Sequence, residues 1–299
     1  MSLIEFWPDL PRAWEATSDP RSESATVTAT GGRWRVIKSE SRARVLWLEA
    51  DGFSPVVCKI YRTPRRLAWR TYGIASRANR EFTVMMKAHR LGLPVVRPSY
   101  WLEHRVRGRV AFSALTLEAI ESTDLESWLL AEEGDRDKRL QMAGSVGRLL
   151  CRFHREGLFW GTVSVRNLLL PRGDGEPLLA IDLPYARLYG RDIRGNKHAM
   201  MDLAIVLQLS DGHLAFDEGE REALMLGYCE GDANGAQALN AQIRLFSHKA
   251  WKRQRFLRRL GNLFSRGTKS AGRGGAYCRE TGEYRPLDSR AVILDRPVG

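Results

Sequence analysis

Cysteine is scarce in this chain, and neither a long apolar run nor a leader-like start is present. The four cysteines, Cys58, Cys151, Cys229 and Cys278, stand singly, with no CxxC pair. This usage predicts reduced structural thiols in a cytoplasmic protein. No run of about 18 uncharged apolar residues occurs, so we expect no membrane span. The N-terminal segment has early acids and no basic or apolar block, so we do not expect a secretory signal.

Acidic residues are missing from one long stretch near the C-terminus. Between Ala233 and Arg279 there is no Asp or Glu, against eleven Lys and Arg residues, so nearly the whole formal net charge of +12 lies there. Such a segment is typical of binding to an anionic surface, such as membrane headgroups, a phosphorylated glycan or nucleic acid. A solvated helix face is the alternative interpretation.

The N-terminal part of the sequence predicts a sheet. After an arm of little regular structure, residues 1–25, three runs alternate like strands and are joined by the turn-rich segments SESRAR and DGFSP. The runs are RWRVIK (33–38), VLWLEA (45–50) and PVVCKIY (55–61). This order predicts a three-stranded antiparallel meander.

Helices dominate the rest of the sequence. The first is predicted over Ser76–Leu93, with an apolar face of residues spaced i, i+3, i+4 and i+7, namely Phe82, Met85, Met86 and His89. A strand over Val110–Ile120 and a long helix over Lys138–Gly157 follow. The short apolar strands NLLLP and LLAIDL come next, before the helical segments AMMDLAIVLQLS and EREALMLGYCEG. The order predicts an α+β fold with a strand-rich N-terminal lobe and a helical C-terminal lobe.

Four polar residues interrupt strongly apolar or strand-like surroundings. Lys59 lies in the third strand and Glu81 on the following helix, and a buried lysine is rare unless it is paired. Asn167 precedes one short apolar strand and Asp182 follows the next, so their oxygens form a pair suited to Mg²⁺. Each signal is weak alone, because a lone lysine often lies on an edge strand and a lone aspartate often caps a turn. The order of the four is the stronger indication.

This order resembles the protein-kinase-like superfamily, and more closely the lipopolysaccharide core kinase family, the heptose and Kdo kinases of Gram-negative bacteria. The stretches that carry the resemblance are VVCKIYR, SRANREFTVMMKAHRLGLPVVRP, LTLEAIESTDLESWL, LLCRFHREGLFWGTVSVRNLLL, LLAIDL and MMDLAIVL. The resemblance implies a bilobal protein-kinase-like fold. It also implies phosphorylation of inner-core sugars with ATP and Mg²⁺ on the cytoplasmic side of the inner membrane.

The resemblance also implies a role for each polar residue. Lys59 and Glu81 would form the ion pair that fixes the nucleotide phosphates, and Glu118 would open the hinge that receives adenine. Asn167 and Asp182 would hold the metal. Asp202 would anchor the catalytic loop from a helix.

Two features depart from the family pattern. The loop after HxxG normally reads roughly H-x-D-x-x-x-x-N, whereas here Trp160 stands at the histidine position and Thr162 at the aspartate position, with Asn167 at the retained spacing. A threonine hydroxyl cannot act as the missing base, so we expect turnover reduced on the order of 10²–10⁴-fold. The turn SESRAR also lacks the glycines that let a backbone approach phosphates. Either Arg42 or Arg44 contacts phosphate instead, or both are exposed turn charges.

Three functions are compatible with these residues. Thr162 and the absent glycine-rich loop favour a nucleotide-binding pseudokinase in envelope glycan assembly, with the lipopolysaccharide core or another anionic glycan as its partner. Retention of the four polar residues favours an active ATP- and Mg²⁺-dependent phosphotransferase with a different base, for which Ser164, Arg166 or a distant carboxylate are candidates. A basic nucleic-acid-binding protein is the third possibility. No motif supports it, so we expect no specific nucleic-acid partner.

The sequence predicts four regions along the chain. They are an arm (1–25), a kinase-like N-lobe (26–120), a helical C-lobe (121–245) and a basic amphipathic helix with a mobile tail (246–299). In the last region, Phe246–Ser265 places apolar residues near helical spacing beside a Lys/Arg face, which is typical of a membrane-surface helix. A helix packed on the C-lobe is the alternative. The first interpretation predicts a cytoplasmic protein held peripherally at the inner membrane through residues 246–273.

Deletion of residues 246–273 should abolish binding to anionic vesicles. Attraction to anionic headgroups is worth roughly 1 kcal/mol per basic residue near the surface, and added salt screens it. Co-sedimentation of the intact chain and the deletion variant with anionic vesicles at rising salt measures the effect, with neutral vesicles as the control. Equal binding by both proteins would rule out this role for the segment.

Overall fold

The computed structural model describes most of the chain between Gly32 and Phe246 and a few residues outside it. The described residues are 14, 27–29, 32–50, 54–64, 74–132, 135–172, 177–208, 216–246, 275–277 and 284–286. Apart from Phe246, the predicted basic helix lies outside them. Two compact units make up the chain. The first contains Met1–Ser122 and Pro171–Ala186, and the second contains Thr123–Leu170 and Arg187–Gly299. The four predicted regions stay a prediction.

Among the described residues, strands dominate up to Asp124 and helices dominate from Leu125 to Phe246. The strands are β1 (Val27–Ala29), β2 (Gly32–Ser39), β3 (Ala43–Ala50), β4 (Val56–Arg62), β5 (Pro98–Val106), β6 (Arg109–Glu118), β7 (Ser122–Asp124), β8 (Leu158–Phe159), β9 (Leu168–Pro171), β10 (Leu179–Ala180), β11 (Arg187–Leu188), β12 (Gly275–Tyr277) and β13 (Tyr284–Pro286). The helices are α1 (Arg77–Arg90), α2 (Leu125–Ala131), α3 (Arg136–Arg155), α4 (Lys197–Gln208) and α5 (Glu218–Tyr228), and a further helix covers residues 233–246. The predicted α+β organisation is confirmed.

The first unit is built on a six-stranded antiparallel sheet. Its strand order is β1-β2-β3-β4-β6-β5, so the predicted meander of β2, β3 and β4 is confirmed. Lys59 on β4 pairs with Val45 on β3 and with Leu115 on β6. Since paired residues of an antiparallel sheet share a face, this register determines which side chains lie beside Lys59.

The two faces of this sheet have different surroundings. One face carries the apolar core of the unit, which consists of Trp14, Trp34, Val36, Leu46, Leu48, Val56, Cys58, Ile60 and Ala114. Arg44 pairs with Ile60 and so lies on this core face, opposite Lys59. Its guanidinium stacks 4.0 Å from the Trp14 ring and donates to the Trp14 carbonyl oxygen. Both interpretations of Arg44, a phosphate contact near Lys59 and an exposed turn charge, are therefore wrong, whereas Arg42 is exposed.

Helix α1 packs against β5 and β6. Ser76 caps it, because its hydroxyl accepts from the backbone N–H of Asn79 at 3.1 Å. The buried face of the helix consists of Ala78, Glu81, Met85 and Ala88. The predicted helix is confirmed. Of the residues whose spacing predicted it, Met85 is buried, Phe82 and Met86 are half-buried, and His89 is exposed.

Strand β5 was not predicted from the sequence. It forms a hairpin with β6 through Arg107 and Gly108, both of which have positive φ, at 50° and 76°. Most of its side chains are half-buried or exposed, so no clean alternation of apolar and polar residues reveals it. The usable signal is the two-residue turn containing glycine between two strand-like runs.

The second unit contains helices α2 to α5. Helices α3 and α5 make close backbone contact because glycines face each other where they cross. A Cβ atom on Gly147 would overlap the carbonyl oxygen of Leu224 and lie 2.7 Å from the backbone nitrogen of Tyr228. A Cβ on Gly144 would meet no atom closer than 3.5 Å.

Two further findings concern the predictions from composition. No helix within the described residues is long and apolar enough to cross a bilayer. Cys58, Cys151 and Cys229 are free thiols, as predicted, and Cys278 lies outside the described residues. Burial raises the pKa of the Cys58 thiol well above its ordinary value.

Replacing Gly147 with alanine should destabilise the protein, whereas the same change at Gly144 should be tolerated. The first change forces α3 and α5 apart, and overpacking of this kind costs about 1–3 kcal/mol. The second meets ordinary van der Waals distances and gains up to about 1 kcal/mol of helix propensity. Urea unfolding of Gly147→Ala and Gly144→Ala measures both effects. Equal stability of the two variants would contradict the close crossing.

Candidate functional site

Glu81 is the centre of a buried polar cluster in the first unit. Its carboxylate is completely buried and has three donors from other parts of the unit. Lys59 Nζ lies 3.3 Å from Oε1, and the backbone N–H of Leu183 donates to the same oxygen at 3.2 Å. The hydroxyl of Tyr61 donates to Oε2 at 2.8 Å. The Lys59–Glu81 pair expected from the sequence is therefore present in the fold.

Asp182 joins this cluster through Lys59, whose Nζ lies 3.4 Å from Asp182 Oδ1. The segment before Asp182 is held by Ala180, which accepts from the backbone N–H of Val96 at 3.1 Å and donates to the carbonyl of Pro94 at 2.9 Å. Asp182 has a left-handed backbone, with φ of 60°, a conformation uncommon outside glycine. Its side chain is 34% exposed, so this carboxylate is accessible to a ligand whereas that of Glu81 is not.

Sequence reasoning missed two members of the cluster, Tyr61 and Arg77. Arg77 is the first residue of α1, and its Nη2 lies 3.6 Å from Asp182 Oδ1 while its guanidinium stacks 4.4 Å from the Tyr61 ring. Burial, followed by the charge of Glu81, raises the pKa of Tyr61 well above its ordinary value, so its hydroxyl remains a donor. The sequence signal for these two residues was only their spacing from Lys59 and Glu81. Tyr61 follows Lys59 at i+2 on a strand, and Arg77 precedes Glu81 at i−4 on a helix.

Glu118, the predicted hinge residue, lies apart from the buried cluster. It is the last residue of β6 and is exposed. It pairs with Val56 at the start of β4, and its backbone N–H donates to the carbonyl of Arg97 at 2.9 Å. Its role toward adenine stays a prediction.

Thr162 and Asn167 lie together in the second unit. The side-chain amide of Asn167 donates from Nδ2 to the backbone oxygen of Thr162 at 3.3 Å, so its Oδ1 is not used in this bond. A short 3-10 turn over Val165–Asn167 connects the loop to β9. The hydroxyl of Ser164 accepts a hydrogen bond from the backbone N–H of Arg166 in this turn. Arg166 pairs with Glu126 through Nε at 2.6 Å. Whether Ser164 or Arg166 acts as a base stays a prediction.

Asp202 organises the loop that precedes Thr162. It is completely buried on α4 and accepts from the backbone N–H groups of Trp160 and Gly161, each at 2.7 Å. His154 Nε2 lies 3.2 Å from its Oδ2, and His154 Nδ1 lies 2.9 Å from the hydroxyl of Tyr228. A neutral imidazole with its proton on Nε2 satisfies both bonds. Asp202 thus bonds the loop backbone at two successive N–H groups, and its role as an anchor of a catalytic loop stays a prediction.

The side chain of Trp160 fills the space under this loop. It is fully buried and its ring centroid lies 5.8 Å from that of Phe153 on α3. The position at which the family pattern has histidine is thus part of the apolar core of the second unit.

The donor set suits a phosphate and a single hard cation better than a metal cluster. Within the described residues, no group of three or more His, Cys, Asp or Glu side chains is placed to hold a metal ion. Lys59 and Arg77 offer positive charge for phosphate, and the carboxylate of Asp182 offers the oxygen ligand that Mg²⁺ prefers. Mg²⁺ is commonly held by one or two such carboxylates together with substrate phosphates, so these residues fit a magnesium-bound nucleotide.

Comparisons with known proteins agree with the motif order. The model of the family described as "Lipopolysaccharide kinase (Kdo/WaaP) family" matches residues 33–228, about two thirds of the chain. No curated protein matches the chain. Among solved structures, one described as "WaaP in complex with acyl carrier protein" matches with a TM-score of 0.49 and 18% identity, over 80% of this chain and 95% of that one. On the family match, the chain belongs to the lipopolysaccharide kinase (Kdo/WaaP) family.

Tyr61→Phe should destabilise the protein, because it removes one of the three donors to the buried Glu81 carboxylate. A hydrogen bond to a charged group is worth about 1.5–3 kcal/mol, and no water can replace it at a fully buried site. Tyr185→Phe is the matched control in the same unit, since Tyr185 is 62% exposed, and should change stability by less than about 0.5 kcal/mol. Urea unfolding compares the two. A Tyr61→Phe protein as stable as the control would contradict this account of Glu81.

Proposed function

We propose that this member of the lipopolysaccharide kinase family binds ATP with Mg²⁺ but transfers the phosphoryl group poorly. Family membership supports a kinase fold, transferase chemistry and a place in lipopolysaccharide biosynthesis. The observation that carries the proposal is a contrast between two parts of the chain. The cluster of Lys59, Glu81 and Asp182 is assembled, while the position expected to hold the catalytic aspartate is Thr162.

Each residue of the proposed site has one physical task. Lys59 would attract nucleotide phosphate, and Glu81, completely buried, would keep that ammonium in place. Asp182, with its partly exposed carboxylate, would be an oxygen ligand for the metal. The same role for Asn167 stays a prediction from the sequence. The magnesium ion would supply charge neutralisation at the phosphates. Thr162 would leave the acceptor hydroxyl without a strong proton acceptor, because its own hydroxyl is uncharged near neutral pH.

The proposed acceptor is a sugar of the lipopolysaccharide core or another anionic glycan. Support for it comes from family membership and from the basic stretch of the sequence between Ala233 and Arg279. The same charge supports a peripheral location on the cytoplasmic side of the inner membrane through residues 246–273. No described residue bears on the membrane contact.

An active phosphotransferase with a different base is the second candidate. It is favoured by the completeness of the Lys59–Glu81–Asp182 cluster and by the contact of Asn167 with the loop. Loose phosphoryl-transfer transition states depend mainly on positioning and charge, so a missing base does not exclude slow turnover.

Restoring a carboxylate with Thr162→Asp should raise turnover on the order of 10²–10⁴-fold, the usual contribution of an acid–base group. ADP release with purified core oligosaccharide measures turnover, and thermal-shift titration with ATP and Mg²⁺ first establishes binding. Both proteins should be stabilised by the nucleotide to a similar extent.

Thr162→Asn is the matched control, because it has the size of aspartate without its charge and should leave turnover unchanged. A wild-type rate equal to that of Thr162→Asp would favour the active enzyme with another base. Absence of any thermal shift with ATP, with and without metal, would refute nucleotide binding itself.

A further inference from the structure

Arg77 is held in place by the start of α1. The hydroxyl of Ser76 caps the helix, and the backbone N–H of Ser76 donates to Glu103 Oε1 on β5 at 2.9 Å. Arg105 extends this anchor, with Nε 2.8 Å from Glu103 Oε2 and Nη2 3.0 Å from the carbonyl of Ile74. The backbone of Arg77 is therefore tied to the sheet from which Lys59 projects.

The guanidinium of Arg77 lies beside the same oxygen as the ammonium of Lys59. Asp182 Oδ1 is 3.6 Å from Arg77 Nη2 and 3.4 Å from Lys59 Nζ. The guanidinium carbon also lies over the ring of Tyr61, 4.4 Å from its centroid. Two cations thus flank one partly exposed carboxylate oxygen, and such a pair is favourable only with negative charge nearby.

Most of the hydrogen-bonding capacity of Arg77 is unused. A guanidinium has five N–H donors, yet among the described residues its contacts are the ionic one to Asp182 and the stacking on aromatic rings. Nε is buried and has no hydrogen-bond partner within the described part of the chain. The side chain is nevertheless 38% exposed, so a ligand can reach its outer nitrogens.

Phosphate is the ligand that fits this arrangement. A planar guanidinium binds phosphate through two parallel N–H bonds, and a neighbouring lysine adds a second charge. The cluster of Lys59, Arg77, Glu81 and Asp182 is formally neutral, so a divalent cation on Asp182 leaves the two basic groups in need of an anion. The turn over residues 40–43 has no glycine, so a side chain rather than that backbone is required to hold phosphates.

We infer that Arg77 is a phosphate-binding residue that forms, together with Lys59, a two-cation site for a polyphosphate. The inference rests on the proposed function in one respect only, namely that the polyphosphate is part of a nucleotide. The two-cation site by itself requires only the anion, so inorganic tripolyphosphate is a sufficient probe.

Arg77→Ala should weaken binding of tripolyphosphate and of ADP about tenfold or more, the loss expected for a charge-assisted hydrogen bond. Thermal-shift titrations in EDTA give the apparent affinities, with adenosine as a phosphate-free ligand that should bind both proteins equally. Arg77→Lys should retain part of the affinity, because it keeps the charge and loses the bidentate geometry. Arg80→Ala removes an exposed arginine from the same helix and should bind like wild type.

A double-mutant cycle with Asp182→Asn separates phosphate binding from mere positioning of Asp182. Direct binding predicts that Arg77→Ala weakens tripolyphosphate binding in the Asp182→Asn background as well. Two results would overturn the inference. One is that Arg77→Ala no longer weakens tripolyphosphate binding in the Asp182→Asn background. The other is that Arg77→Ala, alone or together with Arg77→Lys, binds tripolyphosphate with wild-type affinity. The melting temperatures of Arg77→Ala and Arg77→Lys without ligand show whether each variant is folded. If Arg77→Ala is unfolded, the affinity of Arg77→Lys is compared with that of wild type instead.

The outcome also distinguishes this inference from the proposed function. Arg77-dependent stabilisation by tripolyphosphate, without stabilisation by ADP in EDTA or by ATP with Mg²⁺, would support the two-cation site and refute nucleotide binding. Equal stabilisation of wild type and Arg77→Ala by ADP would do the reverse. Binding of neither ligand to wild type would overturn both.

Discussion

The first unit depends on satisfying one buried charge, the carboxylate of Glu81. It is completely buried, and three donors from two segments surround it: the ammonium of Lys59 and the hydroxyl of Tyr61 on β4, and the backbone N–H of Leu183. Removing one partner of a buried ion pair costs far more than an exposed pair contributes, since the remaining charge is left without compensation. Helix α1, strand β4 and the segment containing Asp182 are therefore held in one arrangement without any ligand.

That constraint changes what the retained residues imply about catalysis. From the sequence, the joint presence of Lys59, Glu81, Asn167 and Asp182 indicates a nucleotide site, because a chain without one has little reason to hold all four. In the structure, Glu81 and Lys59 also stabilise the fold, so their retention is explained without turnover. Asp182 is different, because its partly exposed carboxylate faces two cations and contributes less to the buried network. Function is therefore better judged from Asp182 and Arg77 than from the Lys–Glu pair.

The sequence predicts those features of the molecule whose signal lies within one short segment of the chain. The meander and the long helices follow from alternation and from helical periodicity, and the order of Lys59, Glu81 and Asp182 was sufficient to predict their grouping. Strand β5 was missed because half-exposed side chains carry no alternation. The apolar spacing on α1 predicted the helix and included the buried Met85, but it did not single out Ala78, Glu81 and Ala88, which are buried as well. Arg77 was not predictable, because its partner Asp182 is distant in sequence and only the fold brings them together.

The loop of the second unit is held by bonds to its backbone. Asp202 accepts from the backbone N–H groups of Trp160 and Gly161, and the side-chain amide of Asn167 donates to the backbone oxygen of Thr162. Every residue has a backbone oxygen, so the bond from Asn167 does not require a particular side chain at position 162. These three bonds can therefore form whether or not position 162 carries a carboxylate, and their presence is no measure of the chemistry of the loop.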